Sequence, residues 1–172
     1  MVEKSAVEEK QLVVFNIGQE VYAVEIAMVK EIIQMQAITR VPGVPPSVEG
    51  VINLRGSVIP IVDLRKRFKL AHLERNKDTR IVIVNCKGQE VGVVVDSVAQ
   101  VLRVPVDSIE SSTNFFNEDK LNHIRAIVKL ENQLVILLDM AQVLTREEIN
   151  AVNSMDLLKN KKGSKAVKEA AA

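Results

Sequence analysis

The sequence is poor in aromatic residues. Trp is absent, Tyr22 is the single tyrosine, and aromatics make up 3% of 172 residues. Single-stranded nucleic acid is held by stacking bases on aromatic platforms, and this chain has few to offer. Neither sign of charge dominates: Lys+Arg is 23 against 22 for Asp+Glu, a net charge of +1. That balance gives no long-range pull toward phosphate backbones or anionic lipid. Cys86 is the only cysteine, which excludes an intrachain disulfide and a cysteine-based zinc site. It lies in an apolar run and reads as a packed thiol. His72 and His123 have no His or Cys at ligand spacing, so no metal site is expected. No apolar run approaches the ~20 residues of a membrane span. The N-terminal M-V-E-K-S-A-V-E-E-K has charges but no apolar stretch, unlike a secretory signal. These absences predict a cytoplasmic chain that neither enters a membrane nor binds nucleic acid.

Motifs of catalysis are also missing. There is no G-x-S-x-G, no H-E-x-x-H and no Gly-rich phosphate loop. Ser108, Ser111 and Ser112 lie near Asp107 and Glu110, with no base close in sequence. The stretch E-S-S-T-N-F-F-N-E-D reads as a polar loop packed down by Phe115 and Phe116. The expectation is a protein without catalytic residues or cofactors. A small-ligand-binding or catalytic β-barrel stands as the alternative.

Hydrophobic residues are plentiful, at 47%. They come in short β-branched runs bounded by Gly, Asn, Asp or Pro: Leu12–Ile17, Val21–Glu25, Ile32–Val41, Gly50–Asn53, Val58–Val62, Arg80–Asn85, Glu90–Val95, Leu102–Val104, Ile124–Leu130 and Gln133–Leu138. Many short strands at close spacing predict an all-β fold of barrels or sandwiches, mainly β with short helices. N-I-G-Q-E, N-L-R-G-S, C-K-G-Q-E and L-E-N-Q carry hairpin-turn chemistry. Pro60 cannot donate to a ladder, which puts its strand at an edge or bends it there. Ile26–Ile33 has helical spacing for a turn or two. Asp63, Asp96 and Asp139 each follow a strand and are placed to cap a first helical turn. Thr145 and Glu148 form a T-x-x-E capping box, opening a C-terminal helix over 145–153. Residues 1–10 read as flexible, and the Lys- and Ala-rich tail 159–172 as disordered.

The chain repeats itself. G-Q-E-V at Gly18–Val21 recurs at Gly88–Val91, and R-V-P at Arg40–Pro42 recurs at Arg103–Pro105. V-I-N-L-R-G-S-V-I-P-I-V-D from Val51 then aligns without a gap to I-V-K-L-E-N-Q-L-V-I-L-L-D from Ile127. Leu54 meets Leu130 and Asp63 meets Asp139. The repeat predicts two related barrels of about five strands, the first at 11–70 and the second at 78–144. Each half alone would be a marginal core, so the two pack together and leave a groove. The repeat is also an internal control. Arg55, at a hairpin tip, falls opposite Glu131, Gly56 opposite Asn132, and Glu31 opposite Gln100. The fold therefore demands neither Arg at 55 nor Glu at 31.

Residues Thr39–Arg65, T-R-V-P-x-x-P-x-x-V-E-G-V-I-N-L-R-G-x-V-I-P-I-V-D-L-R, closely resemble the CheW family of chemotaxis coupling proteins. Phe15–Ile33 and Val91–Leu102 extend the resemblance, which covers residues 11–153. A related domain occurs in the histidine kinase CheA and in CheV. With no kinase or receiver segment in these 172 residues, the resemblance is to the stand-alone form. The resemblance implies two packed SH3-like five-stranded β-barrels with a C-terminal helix and no enzymatic activity. It implies a chemotaxis adaptor that couples membrane chemoreceptors to CheA at cytoplasmic arrays. Val29, Glu31, Arg55, Val98 and Val101 would contact the cytoplasmic signalling tip of the receptor. Gly50 and Val51 would face the regulatory domain of the kinase. Arg is a favoured interface anchor, able to engage a carboxylate with two hydrogen bonds. Glu31 either pairs with Arg55 across the groove or engages the partner itself.

Overall fold

A computed structural model describes residues 8–111 and 123–154. Eleven strands are present: β1 (Glu9–Ile17), β2 (Glu20–Glu25), β3 (Val29–Gln34), β4 (Val48–Leu54), β5 (Ser57–Asp63), β6 (Arg80–Cys86), β7 (Gln89–Val95), β8 (Ser97–Pro105), β9 (Ile109–Ser111), β10 (Ile124–Lys129) and β11 (Leu134–Leu138). A short helix, α1 (Leu64–Arg67), follows β5. A second, α2, spans 146–154. The mainly β reading holds. Residues 9 and 10, expected to be flexible, already belong to β1. The packing role of Phe115 and Phe116, Ser112, the tail 159–172 and most of the N-terminal segment lie outside the described residues.

The strands form two sheets. One has six strands in the order β8-β1-β2-β11-β10-β9, the other five in the order β3-β6-β7-β5-β4. The division is not the one expected from the repeat. The first hairpin, β1–β2, joins β8–β11 from the second half. The second hairpin, β6–β7, joins β3, β4 and β5 from the first. Contiguous barrels at 11–70 and 78–144 are therefore replaced by two sheets that exchange hairpins. The cause is visible in the crossings. A 3-10 turn at Ile26–Met28 carries the chain out of the first sheet, and Asp96 marks the return between β7 and β8.

Pairing follows a shared register in both sheets. Leu137 lies beside Ala23, and the repeat-equivalent Ile61 lies beside Gly92, both in parallel pairs. Val48 pairs Val62 as Ile124 pairs Leu138, and each ladder then shifts by one residue, at Glu49 and at Arg125. Asp63 N donates to Ser47 O at 2.8 Å, as Asp139 N does to His123 O at 2.8 Å. The expected equivalence of Leu54 with Leu130 and Asp63 with Asp139 thus appears in the pairing. The G-Q-E-V match lies one residue out of structural register. The β1–β2 pair Ile17↔Glu20 corresponds to Cys86↔Gln89 in β6–β7. In a strand, a slip of one residue exchanges the two faces.

Face alternation sorts the apolar residues into three clusters. Leu12, Val14, Ala23, Val104, Ala126, Val128, Val135 and Leu137 fill the six-stranded barrel. Ile52, Ile59, Ile61, Ile81, Ile83 and Val94 fill the five-stranded one. The opposite faces of β1 and β6, with Val13, Phe15, Val82 and Val84, meet in a third cluster between the barrels. Buried on both faces, these strands read as continuous apolar runs rather than alternating ones. Each fully buried Val, Leu, Ile or Phe contributes roughly 1.5–3 kcal/mol, so the seam is a core in its own right.

Pro60 sits in an interior strand, not at an edge. Its cross-strand neighbour Val51 sends both N–H and C=O to Thr39, at 2.9 and 2.8 Å. Pro60 thus faces a position with no ladder bond to give, and the pairing of β5 with β7 begins one residue later, at Ile61. The Thr39–Val51 bridge also ties the chain after β3, one edge of the five-stranded sheet, to β4 at the other. In the six-stranded sheet, β8 and β9 stand at opposite edges, joined through a 3-10 turn at Val106–Ser108.

Candidate functional site

Arg55 and Gly56 form the two-residue tip between β4 and β5, with φ of 51° and 87°. Positive φ at both central residues is the type I′ geometry, which matches the twist of the flanking strands. Asn53 Oδ1 accepts from Gly56 N at 2.9 Å and locks the turn. Lys87 and Gly88 form the same tip between β6 and β7, with Asn85 Oδ1 accepting from Gly88 N at 2.8 Å. A rigid hairpin therefore holds the Arg55 side chain outward, 70% exposed.

Glu31 meets it from β3. Arg55 Nη1 donates to Glu31 Oε2 at 3.1 Å, and Nη2 pairs with Oε1. The Arg55 hydrogen bond holds the Glu31 carboxyl below its ordinary pKa, and Glu31 in turn raises that of the guanidinium. Of the two arrangements left open by the sequence, the structure has the pair formed. A bulge at Lys30 sets its position: Val29 pairs Val84 while Glu31 pairs Ile83. Cross-strand partners share a face. Val29 therefore lies on the seam side with Val84, and Glu31 on the barrel side with Ile83.

The predicted valines gather at the seam. Val98 pairs Phe15, Val101 pairs Val13, and both partners belong to the seam cluster. Val29 and Val98 are half-buried against that cluster, while Val101 is 51% exposed. The five proposed receptor-facing residues thus form two groups, three valines along the seam and the Glu31–Arg55 pair across β3 from them.

Gly50 is buried and has φ +143°. A Cβ there would stand 2.0 Å from Thr39 O and 3.0 Å from Arg40 Cα. The close approach of the Thr39 strand sets Gly50, while Val51 beside it is half-buried against the seam cluster.

Two polar nodes, one part-buried and one buried, hold the barrels together. Asp96 accepts from Arg65 Nε at 2.9 Å, Arg65 Nη2 at 2.8 Å and Gly18 N at 2.7 Å. Burial opposes its charge, yet the Arg65 and Gly18 hydrogen bonds win and hold its pKa below the ordinary value. Asp96 was expected to cap a helical turn. It precedes β8 instead and serves as this clamp. Asp63 does cap α1, accepting from Arg65 N at 2.9 Å. Asp139 accepts from Ala141 N at 3.0 Å in the same way, but it closes a turn and no helix directly follows it. The second node centres on Glu148, which closes the expected box with Thr145: Thr145 N donates to Oε1 at 2.7 Å, and Glu148 N to Thr145 Oγ1 at 3.1 Å. The same carboxylate accepts from Ser47 and faces Arg67 Nε at 3.3 Å. The capping box is legible in the sequence, but the Ser47 and Arg67 contacts of Glu148 and the pairing of Arg65 with Asp96 are not. The repeat held a signal for the Asp96 node, since Arg65 falls opposite Ala141.

Among the described residues no group of three His, Cys, Asp or Glu could hold a metal ion. Cys86 is buried and its Sγ lies 3.1 Å from Met140 O. Burial pushes its thiol pKa up, away from reactivity. His123 stacks on Phe68 at 5.4 Å, and burial, then Arg67, lowers its pKa.

Two barrels joined by an apolar seam, with an exposed charged pair on a rigid tip, define a double β-barrel protein. A CheW-like domain matches residues 11–148. The chemotaxis protein CheW of Bacillus subtilis is 41% identical over 138 residues, covering 80% of this chain and 88% of that one. CheW of Thermotoga maritima is 33% identical over 147 residues, covering 84% and 92%. A crystal structure of the scaffolding protein TtCheW from Thermoanaerobacter tengcongensis is similar with a TM-score of 0.75 at 33% identity, covering 82% of this chain and 96% of that one. The chain belongs to the CheW family and is a chemotaxis coupling adaptor. No helix among the described residues is long and apolar enough to cross a membrane.

Proposed function

We propose that this chain couples the cytoplasmic signalling tip of membrane chemoreceptors to the regulatory domain of the histidine kinase CheA, at membrane-associated arrays and without catalysis of its own. The receptor contacts are Val29, Glu31, Arg55, Val98 and Val101. Gly50 and Val51 lie toward the kinase, Gly50 acting through the backbone conformation that sets Val51. One observation carries the reading. The Arg55–Glu31 pair is exposed, bidentate and mounted on a locked hairpin, yet Glu131 and Gln100 fill the matching places in the other half. Loops on rigid scaffolds are where binding residues concentrate, and an Arg able to grip a carboxylate twice is a strong anchor.

The test is a reconstituted mixture of kinase, receptor tip and this chain, read as receptor-controlled kinase activity. Arg55→Ala is expected to remove most of that control while leaving Tm within about 2 °C, the shift of an ordinary surface change. Normal control by the variant would take Arg55 out of the site. An early-melting variant would make Arg55 structural.

A further inference from the structure

Two adjoining clefts of about 370 and 360 Å³ open beneath the loop R-V-P-G-V-P-P and share Arg40, Glu49 and Lys66. Glu49 forms their floor, its side chain 15% exposed. Lys66 Nζ lies 2.6 Å from Glu49 Oε1, and Arg75 Nη2 lies 3.3 Å from Oε2. Arg75 Nη2 also reaches Asp63 Oδ2 at 3.1 Å. Burial disfavours the Glu49 carboxylate, but Lys66 and Arg75 outweigh it and hold its pKa down. Two cations are therefore matched by two carboxylates. Arg40 adds a third cation at the rim, exposed and with no ion pair or hydrogen bond among the described residues. Pro42, Pro45 and Pro46 stiffen the loop, so the cleft is formed before anything binds.

We infer that this cleft takes a carboxylate from an acidic segment of the kinase regulatory domain, gripped by Arg40 with Lys66 beside it. The inference rests on the proposed coupling role. It extends the Gly50–Val51 face, because Arg40 Cα stands 3.0 Å from where a Gly50 Cβ would lie. Charge complementarity selects the occupant: one cation is left over, and a single side-chain carboxylate neutralises it.

The experiment measures the affinity of the full chain for the kinase regulatory domain and for a receptor tip, at two salt concentrations, with Arg40→Glu and Arg40→Ala. Arg40→Glu is expected to weaken kinase binding tenfold or more and to flatten its salt dependence, with receptor binding unchanged. Arg40→Ala, which adds no charge, shows a smaller loss in the same direction. Unaltered kinase binding by both variants, with the parent chain binding normally, overturns this inference alone. A parent chain that fails to bind the kinase domain overturns the coupling role and this inference with it. Vesicles of phosphatidylglycerol and phosphatidylcholine are the third arm. Arg40-dependent vesicle binding, with kinase binding untouched, assigns the cleft to lipid and also overturns the inference.

Discussion

Gly50 and Ala126 occupy equivalent places in the two barrels, facing Ile61 and Leu137 across their ladders. Only Ala126 carries a methyl group. At Gly50 the Thr39 carbonyl stands where a Cβ would go, and the backbone holds φ +143°. Gly50→Ala must both move the Thr39 bridge and strain the backbone, which costs of order 1–3 kcal/mol for the strain alone. A total of about 3 kcal/mol or more is expected, read as a large drop in Tm. The reciprocal Ala126→Gly loses about 1 kcal/mol, mainly backbone entropy. Equal effects at the two positions would show that Thr39 is not the cause. This contrast bounds what the sequence reveals. The repeat exposes which residues differ between halves, and so singled out Arg55 and Glu31. It does not say why Gly50 differs from Ala126, because Thr39 becomes a neighbour only once the barrel closes.

The strands and turns of this chain were legible because their signals are local. Four hairpin turns, the Asp63 cap and the Thr145–Glu148 box all stand where the residues place them. The spacing of Ile26–Ile33 predicts a turn or two of helix, and the structure forms one, with strand from Val29 onward. A single 3-10 turn occupies Ile26–Met28, and the bulge at Lys30 lets apolar residues recur at helical intervals along a strand. For the Arg65–Asp96 clamp the repeat marks Arg65 as unmatched but not its partner, because the clamp joins α1 to the residue before β8. Asp96 has a folded pKa below its ordinary value, so its contribution is complete above the unfolded carboxylate pKa of about 3.9 and fades as pH falls through the lower folded pKa. Glu25 and Glu49 shift in the same direction, with burial outweighed by Lys10 and Arg125 at Glu25 and by Lys66 and Arg75 at Glu49. The chain should therefore lose stability steeply below about pH 4. Asp96→Asn is expected to lower stability at pH 7 by about 1–3 kcal/mol, as a part-buried charge-assisted hydrogen bond is removed. Its acid limb should be shallower by one carboxylate. Urea titrations at pH 7, 5 and 3 check both, and an unchanged slope would deny Asp96 the clamp.

At the scale of the whole molecule, hairpin exchange means neither half of the sequence encodes a complete barrel. Residues 11–70 contribute β1 and β2 to one sheet and β3, β4 and β5 to the other. The sequence implied duplication correctly and partition wrongly, because side-chain pattern defines a strand's faces but not which neighbour it chooses. Isolated 11–70 and 78–144 should each remain unfolded by circular dichroism, while the whole chain unfolds in one transition with coincident far-ultraviolet and Tyr22 signals. A cooperative transition in either fragment alone would contradict the exchange.

The interleaved order of strands has a consequence for biosynthesis. β1 and β2 leave the ribosome with no sheet to enter until β8 through β11 have been made, and translation proceeds at about 5–20 residues per second. For several seconds the first hairpin, with Phe15 and the apolar run around it, waits without its neighbours. Contacts between distant segments must form before either core closes, and such topologies fold slowly. The nascent chain is therefore most vulnerable to aggregation early, and the first barrel to have all its strands synthesised is the five-stranded one, whose last strand, β7, is complete by Val95.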